Sequence, residues 1–145
     1  MPVKKIVIDD ENWELNTDDL KFSDATLNPF FEKVSGIIDY VGAGHARCIR
    51  WVASLEQKHK QKYIEKYKIY KEDGKSDKTA DLYAEGDPEV CDLKQKYLDA
   101  KYIKDLIYAH LNALNSARED AHNRGHMIRK EMSKLNSDIN FPSEF

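Results

Sequence analysis

Residues 87–135 read DPEVCDLKQKYLDAKYIKDLIYAHLNALNSAREDAHNRGHMIRKEMSKL, and this stretch decides the fold. Asp87 before Pro88 is a capping residue followed by a proline in the first helical position, where a missing N–H costs nothing. From Val90 onward apolar residues return in steps of three and four: Leu93, Tyr97, Ala100, Ile103, Ile107, Leu111, Leu114, Ala117, Ala121, Ile128, Met132 and Leu135. Such spacing predicts one helix of roughly 45 residues with a coiled-coil-like stripe. The pattern has an upstream counterpart. Asn28-Pro29 repeats the cap-plus-proline start; Phe31, Val34, Ile38 and Val41 follow at helical spacing; and Val52, Leu55, His59, Tyr63, Tyr67 and Tyr70 continue to Gly74. The intervening Gly42-Ala43-Gly44 is expected to kink or split this helix, because glycine is a poor helix former.

The composition agrees. Of 145 residues 34% are charged, and Gly and Pro number only 6 and 4, which favours solvated helices over a turn-rich β fold. The expectation is an all-α protein: a long antiparallel helical hairpin over 28–136, an N-terminal arm over 1–27 and a flexible acidic tail over 137–145. The arm opens with a β-like run, Val3–Ile8, and Thr17–Leu20 could start a helical turn. Between the helices, EDGKSDKTADLYAEGD reads as a polar, mobile connector. A hairpin this long cannot bury both apolar stripes alone. A homo-oligomer seamed by Ile103, Ile107, Leu111, Leu114 and Ile128 is therefore expected, against a monomeric alternative in which the arm closes the core.

Cys48 and Cys91 show no zinc spacing, no signal segment precedes them, and no apolar run is long enough to span a bilayer, so the expectation is a cytoplasmic chain with no membrane role. The net charge of -3 weighs against nucleic acid as a bulk number, but its distribution does not. Between Leu55 and Lys71 six lysines stand against two glutamates, with tyrosines threaded among them. Lysine ammoniums neutralise phosphates and tyrosine faces stack unpaired bases. Lys58, Lys60, Lys62, Tyr63, Lys66, Tyr67 and Lys68 are thus the candidate single-strand-binding face, with Arg124, Arg129 and Lys130 as a second basic group. The competing reading is a solvated lysine face with its tyrosines packed inward.

His122 and His126, one helical turn apart, lack the glutamate of HExxH and a third ligand, so no metal and no cofactor is expected. Arg118 and His122 resemble acid/base pairs of helical ribonucleases but miss that RxxxxH spacing by one residue; no enzymatic activity is expected. The closing SDINFPSEF resembles the acidic, aromatic-ended tips by which single-strand-binding proteins recruit partners.

The helix carrying Leu55, Glu56, Lys58, Lys60, Lys66, Tyr67, Tyr70 and Gly74, then a polar loop, then a second helix with Ala117, Arg124, Gly125 and Ile128, resembles the T-even phage recombination mediator UvsY and its relatives. The resemblance covers roughly residues 50–132. It implies a cytoplasmic helical homo-oligomer, ring-like, that binds single-stranded DNA and helps load a RecA-like recombinase onto strands coated by single-strand-binding protein. Lys66 falls on a basic position of the family, whereas Ile64 stands where a further basic residue is usual. The acidic balance, the N-terminal arm and the NFPSEF ending depart from it. The alternative is a helical adaptor or phage assembly protein using the same stripes for protein contacts alone.

Overall fold

The structure, a computed structural model, describes residues 3–140. The expected acidic tail beyond Asn140 lies outside the described residues. The chain is mostly helical: α1 spans Leu27–Glu72, α2 Asp77–Glu85 and α3 Pro88–Asn140, preceded by the strands β1 (Val3–Ile8) and β2 (Glu11–Asn16) and two short 3-10 turns, Thr17–Leu20 and Asp24–Thr26.

Packing of α1 on α3 dominates the tertiary contacts. Along α1 the buried residues Leu27, Val34, Val41, Cys48 and Leu55 recur at every seventh position. Along α3, Ala100, Ile107, Leu114 and Ala121 do the same. The two series meet in opposite order. Leu55 and Val52 cluster with Ala100, Cys48 and Val41 with Ile107 and Leu114, and Val34 and Leu27 with Ala121 and the half-buried Ile128. A seven-residue repeat keeps one seam of each helix facing its partner over many turns.

A third layer covers the middle of this seam. β1 and β2 pair antiparallel through a two-residue turn at Asp9 and Asp10, whose φ angles of 47° and 66° are the left-handed pair that a tight β-ribbon turn requires. Period-2 alternation then aims Ile6 and Ile8 inward while Lys5 and Val7 face out. Ile6, Ile8 and Leu15 join Val41, Cys48, Ile107 and Leu114 in one core, with Trp13 packed on its margin. Residues 3–26 of the expected arm are thus folded onto the helices.

Three expectations change. Ile107 and Leu114, assigned to an interchain seam, are 1% and 0% exposed inside the chain. Ile103 and Leu111 pack against the same core, and Ile128 against the Leu27–Phe30 cluster. Intrachain partners therefore occupy the place given to a second chain. The expected break at Gly42–Gly44 is also absent, and α1 runs through it. A Cβ on Gly44 would stand 3.1 Å from the Trp13 ring, so this glycine admits the ribbon rather than bending the helix. Finally, α1 begins at Leu27 instead of after Asn28, because the Ser23–Thr26 capping box leads directly into it.

The expected mobile connector is largely a helix. α1 ends at Glu72, and Gly74 just beyond it, with a φ of 87°, permits the paired Lys75 N–H to Tyr70 C=O and Gly74 N–H to Lys71 C=O bonds of a Schellman stop. Ser76 then caps α2 by accepting from the Thr79 N–H, and Ala80 and Ala84 are fully buried. Tertiary packing of two alanines outweighs the polar composition of the segment. Asp87 caps α3 by accepting from the Glu89 N–H at 2.9 Å.

Gly44→Val is expected to destabilise the fold by about 1–3 kcal/mol through overpacking against Trp13. Gly36→Ala, where an added methyl meets nothing within 4 Å, is expected to stabilise it by about 0.5–1 kcal/mol. Urea unfolding of the two variants measures both, and equal effects would refute the role given to Gly44.

Candidate interaction surfaces

The tyrosines at 63, 67 and 70 fall on the side of α1 that receives α2. Each hydroxyl meets a carboxylate there. Tyr63 donates to Asp81, Tyr67 to Asp77 at 3.2 Å and Tyr70 to Asp87 at 3.4 Å. The Asp81 hydrogen bond, followed by desolvation, pushes the Tyr63 phenol up to about 12, and burial together with Asp77 raises Tyr67. The rings of Tyr63 and Tyr67 stack on each other 6.1 Å apart. Faces needed for stacking bases are thus spent on one another and on α2.

The lysines are answered in the same way. Lys62 lies 3.2 Å from both Glu65 and Glu89, Lys66 lies 3.6 Å from Glu89 and 3.8 Å from Asp87, and Lys60 pairs with Glu56 at 3.4 Å. Lys71 binds Asp77 at 2.6 Å, which holds that carboxyl below its ordinary range and raises the lysine. Of the first-helix candidates, Lys58 and Lys68 are exposed and make no ion pair among the described residues. The inward-packed alternative therefore describes most of this face. Its acidic partners come from α1 itself, from α2 and from the start of α3, which is why the local lysine excess does not make a free positive stripe.

The second basic group is divided. Arg124 forms a two-pronged pair with Asp24, Nε to Oδ1 and Nη2 to Oδ2 both at 2.7 Å, and this depresses the Asp24 carboxyl and raises the guanidinium. It ties α3 to the turn that starts α1. Arg129 and Lys130 are exposed, and every residue from Arg129 to Ser137 is exposed with them. Their helix continues past Ile128, the last residue packed on the α1 cluster, for about 18 Å at 1.5 Å per residue. Along this projection Met132 and Leu135, at 60% and 59% exposure, continue the apolar series.

The other sequence candidates have structural partners. His122 lies against Phe31, with ring centroids 4.8 Å apart, and Arg118 donates to the Asn115 side chain at 3.2 Å. Burial raises the Cys48 thiol to about 11, and the Cys91 thiol donates to the Glu85 carbonyl at 3.2 Å. Among the described residues no grouping of His, Cys, Asp and Glu is arranged to hold a metal ion, and no helix is long and apolar enough to cross a membrane.

One feature has no counterpart in the sequence reading. Between the 3-10 turns and the first turns of α1 runs a crevice of about 600 Å³, walled by Phe22, Phe30, Val34 and Ile37, with Asp19 and Lys33 on its margin. A second hollow of about 360 Å³ shares Asp19, Lys33 and Ile37 and reaches Tyr40 and His110. The available signal was FSDATLNPFF, residues 22–31, where three phenylalanines flank a polar turn. Comparison with protein-family models, curated proteins and solved structures finds no match to this chain.

An ultraviolet pH titration should show one tyrosine ionising near 12, and Asp81→Asn should return it toward the ordinary phenol value. Tyrosines that all titrate together in the parent protein would contradict the inward-packed face.

Proposed function

We propose that the chain is a non-catalytic helical adaptor that associates with a second copy through the projecting end of α3. The observation that carries this reading is the exposed Leu135, which continues the seven-residue series Leu114, Ala121, Ile128 beyond the reach of α1, with the exposed Met132 one turn after Ile128 beside it. An isolated helical segment this short is marginal in water, and a partner helix on its apolar side supplies the burial it lacks. A second copy is the occupant favoured by continuity: the projecting stripe extends the α1–α3 seam, and a copy brings the same repeat to a symmetric, self-complementary contact. In this form the homo-oligomer expected from the sequence uses Met132 and Leu135 in place of the buried Ile107 and Leu114.

A second reading keeps single-stranded DNA as the partner, with the RecA-like recombinase and single-strand-binding protein that the UvsY resemblance implies. It is favoured by the exposed Arg129 and Lys130 on the same projection, with Lys134 one turn further. In that case the contact surface is the end of α3 and the Lys58 and Lys68 positions, not the paired lysines 62 and 66.

Light scattering during size-exclusion chromatography tests the first reading. Leu135→Asp is expected to weaken self-association at least tenfold, about 1.4 kcal/mol, and an unmodified protein that is monomeric at micromolar concentration would sink it. A salt titration of oligonucleotide binding tests the second: each phosphate-contacting residue removed by Arg129→Ala or Lys130→Ala should lower the log–log slope by about 0.7. An unmodified protein that binds no oligonucleotide leaves the adaptor reading alone.

A further inference from the structure

The crevice beside the 3-10 turns combines an apolar wall with two opposite charges. Phe22 and Phe30 pack with tilted rings, centroids 5.2 Å apart, and Val34 in the same cluster is 1% exposed. Asp18 and Lys21, also on its margin, already neutralise each other at 3.1 Å. Asp19 and Lys33 do not. The lysine stands near enough to favour ionisation of the carboxyl without closing to an ion pair, and both side chains line both hollows, so they flank the junction between them. Desolvation raises the half-buried Asp19 carboxyl, opposed first by His110 and more weakly by Lys33. Deeper in, the buried His110 Nε2 has no hydrogen-bond partner, and burial keeps that imidazole toward its neutral form.

We propose that this crevice binds a small zwitterion of the apolar amino-acid class, its ammonium on Asp19, its carboxylate on Lys33 and its side chain along Phe22 and Phe30. A hollow of about 600 Å³ is within the range that holds small-molecule ligands, and its makeup, mostly apolar with a few convergent polar groups, is the usual one for such sites. The zwitterion is favoured over a simple amine or a simple acid because it alone meets both the half-buried Asp19 and the exposed Lys33 at the junction, whereas each of those matches one charge only. The unpartnered His110 nitrogen leaves a hydrogen-bonding position in the adjoining hollow for any polar group carried further along the ligand. The inference is independent of the contacts made by the end of α3.

Isothermal titration calorimetry of the full chain with L-phenylalanine, L-leucine and L-methionine tests it. Saturable binding of at least one is expected, with phenethylamine and 3-phenylpropanoate, which each carry one charge, binding about tenfold or more weaker, a factor that corresponds to roughly one charge-assisted contact. Asp19→Asn should weaken the amine and the amino acid while sparing the acid, and Lys33→Gln should weaken the acid and the amino acid while sparing the amine. Both positions are at the surface or half-buried, and retained helical circular dichroism will confirm that the variants fold. No saturable heat from any of the three amino acids overturns the proposal. So does a pair of variants that bind like the parent, or that weaken all ligands equally.

Discussion

Everything in this molecule depends on the register between two seven-residue repeats. Because Leu27, Val34, Val41, Cys48 and Leu55 meet Ile128, Ala121, Leu114, Ile107 and Ala100 in reverse order, each side chain has a defined neighbour across the seam. A repeat of seven drifts little around a helix, so the seam persists over the length of α1 without a change of face. Small residues at Ala100 and Ala121 allow close approach at two levels, and larger ones at Ile107 and Leu114 fill the level between. That central level is the one the β-ribbon covers. Its cover needs Gly44, since the Trp13 ring occupies the space a side chain would take. Register, glycine and ribbon are thus one constraint, and sliding α3 by a turn would misplace all three.

Beyond Leu55 the seam changes character. The next member of the α1 series is Lys62, not an apolar residue, and here the helices stop meeting through hydrocarbon and meet through charge. Lys62 and Lys66 reach Glu89 and Asp87 at the start of α3, and the tyrosines beside them reach the aspartates of α2. The pairs to the exposed Glu89 add little stability singly, whereas Lys66 also faces the buried carboxylate of Asp87. Their collective effect is specificity: they place α2 and the start of α3 against one side of α1. The puzzle of a basic, tyrosine-bearing segment in an acidic chain has this resolution, since the excess acid of α2 and α3 is its complement.

The sequence made the two long helices legible because periodicity is a local signal, and it made Asp87-Pro88 legible as a start because capping is local as well. It did not reveal which stripe would be covered by what. Ile107 and Leu114 carry the same pattern whether the cover is a second chain or a β-ribbon from residues 3–16, and only the fold distinguishes them. Val3–Ile8 was readable as strand-like, but its pairing turn is Asp9-Asp10 rather than a glycine-bearing one. α2 was hidden by glycines and charges on either side, although Ser76 before Asp77 is a capping signal and Ala80 and Ala84 are one turn apart. The lysines were readable as charge. Their partners, Asp87 and Glu89, lie more than twenty residues downstream, and no local pattern announces such a pairing.

The two ends of the α1–α3 pair are therefore chemically unlike. At one end α2 closes the helices with aspartates on tyrosines and lysines, and the polar groups there answer one another. At the other, Arg124 grips Asp24 and fixes where α1 begins, so the helices part company at a defined level and α3 runs on alone. The same clamp holds the turn that forms one wall of the Phe22–Phe30 crevice, between the ribbon and the first turns of α1. The exposed Met132–Leu135 stripe and the crevice beside Asp19 and Lys33 both lie toward that end. The clamp is a surface pair whose Asp24 carboxyl is held below its ordinary value, so its contribution is present above the usual carboxylate range and fades as pH falls through the depressed value. At neutral pH it is fully formed, and it fixes the level at which α3 leaves α1.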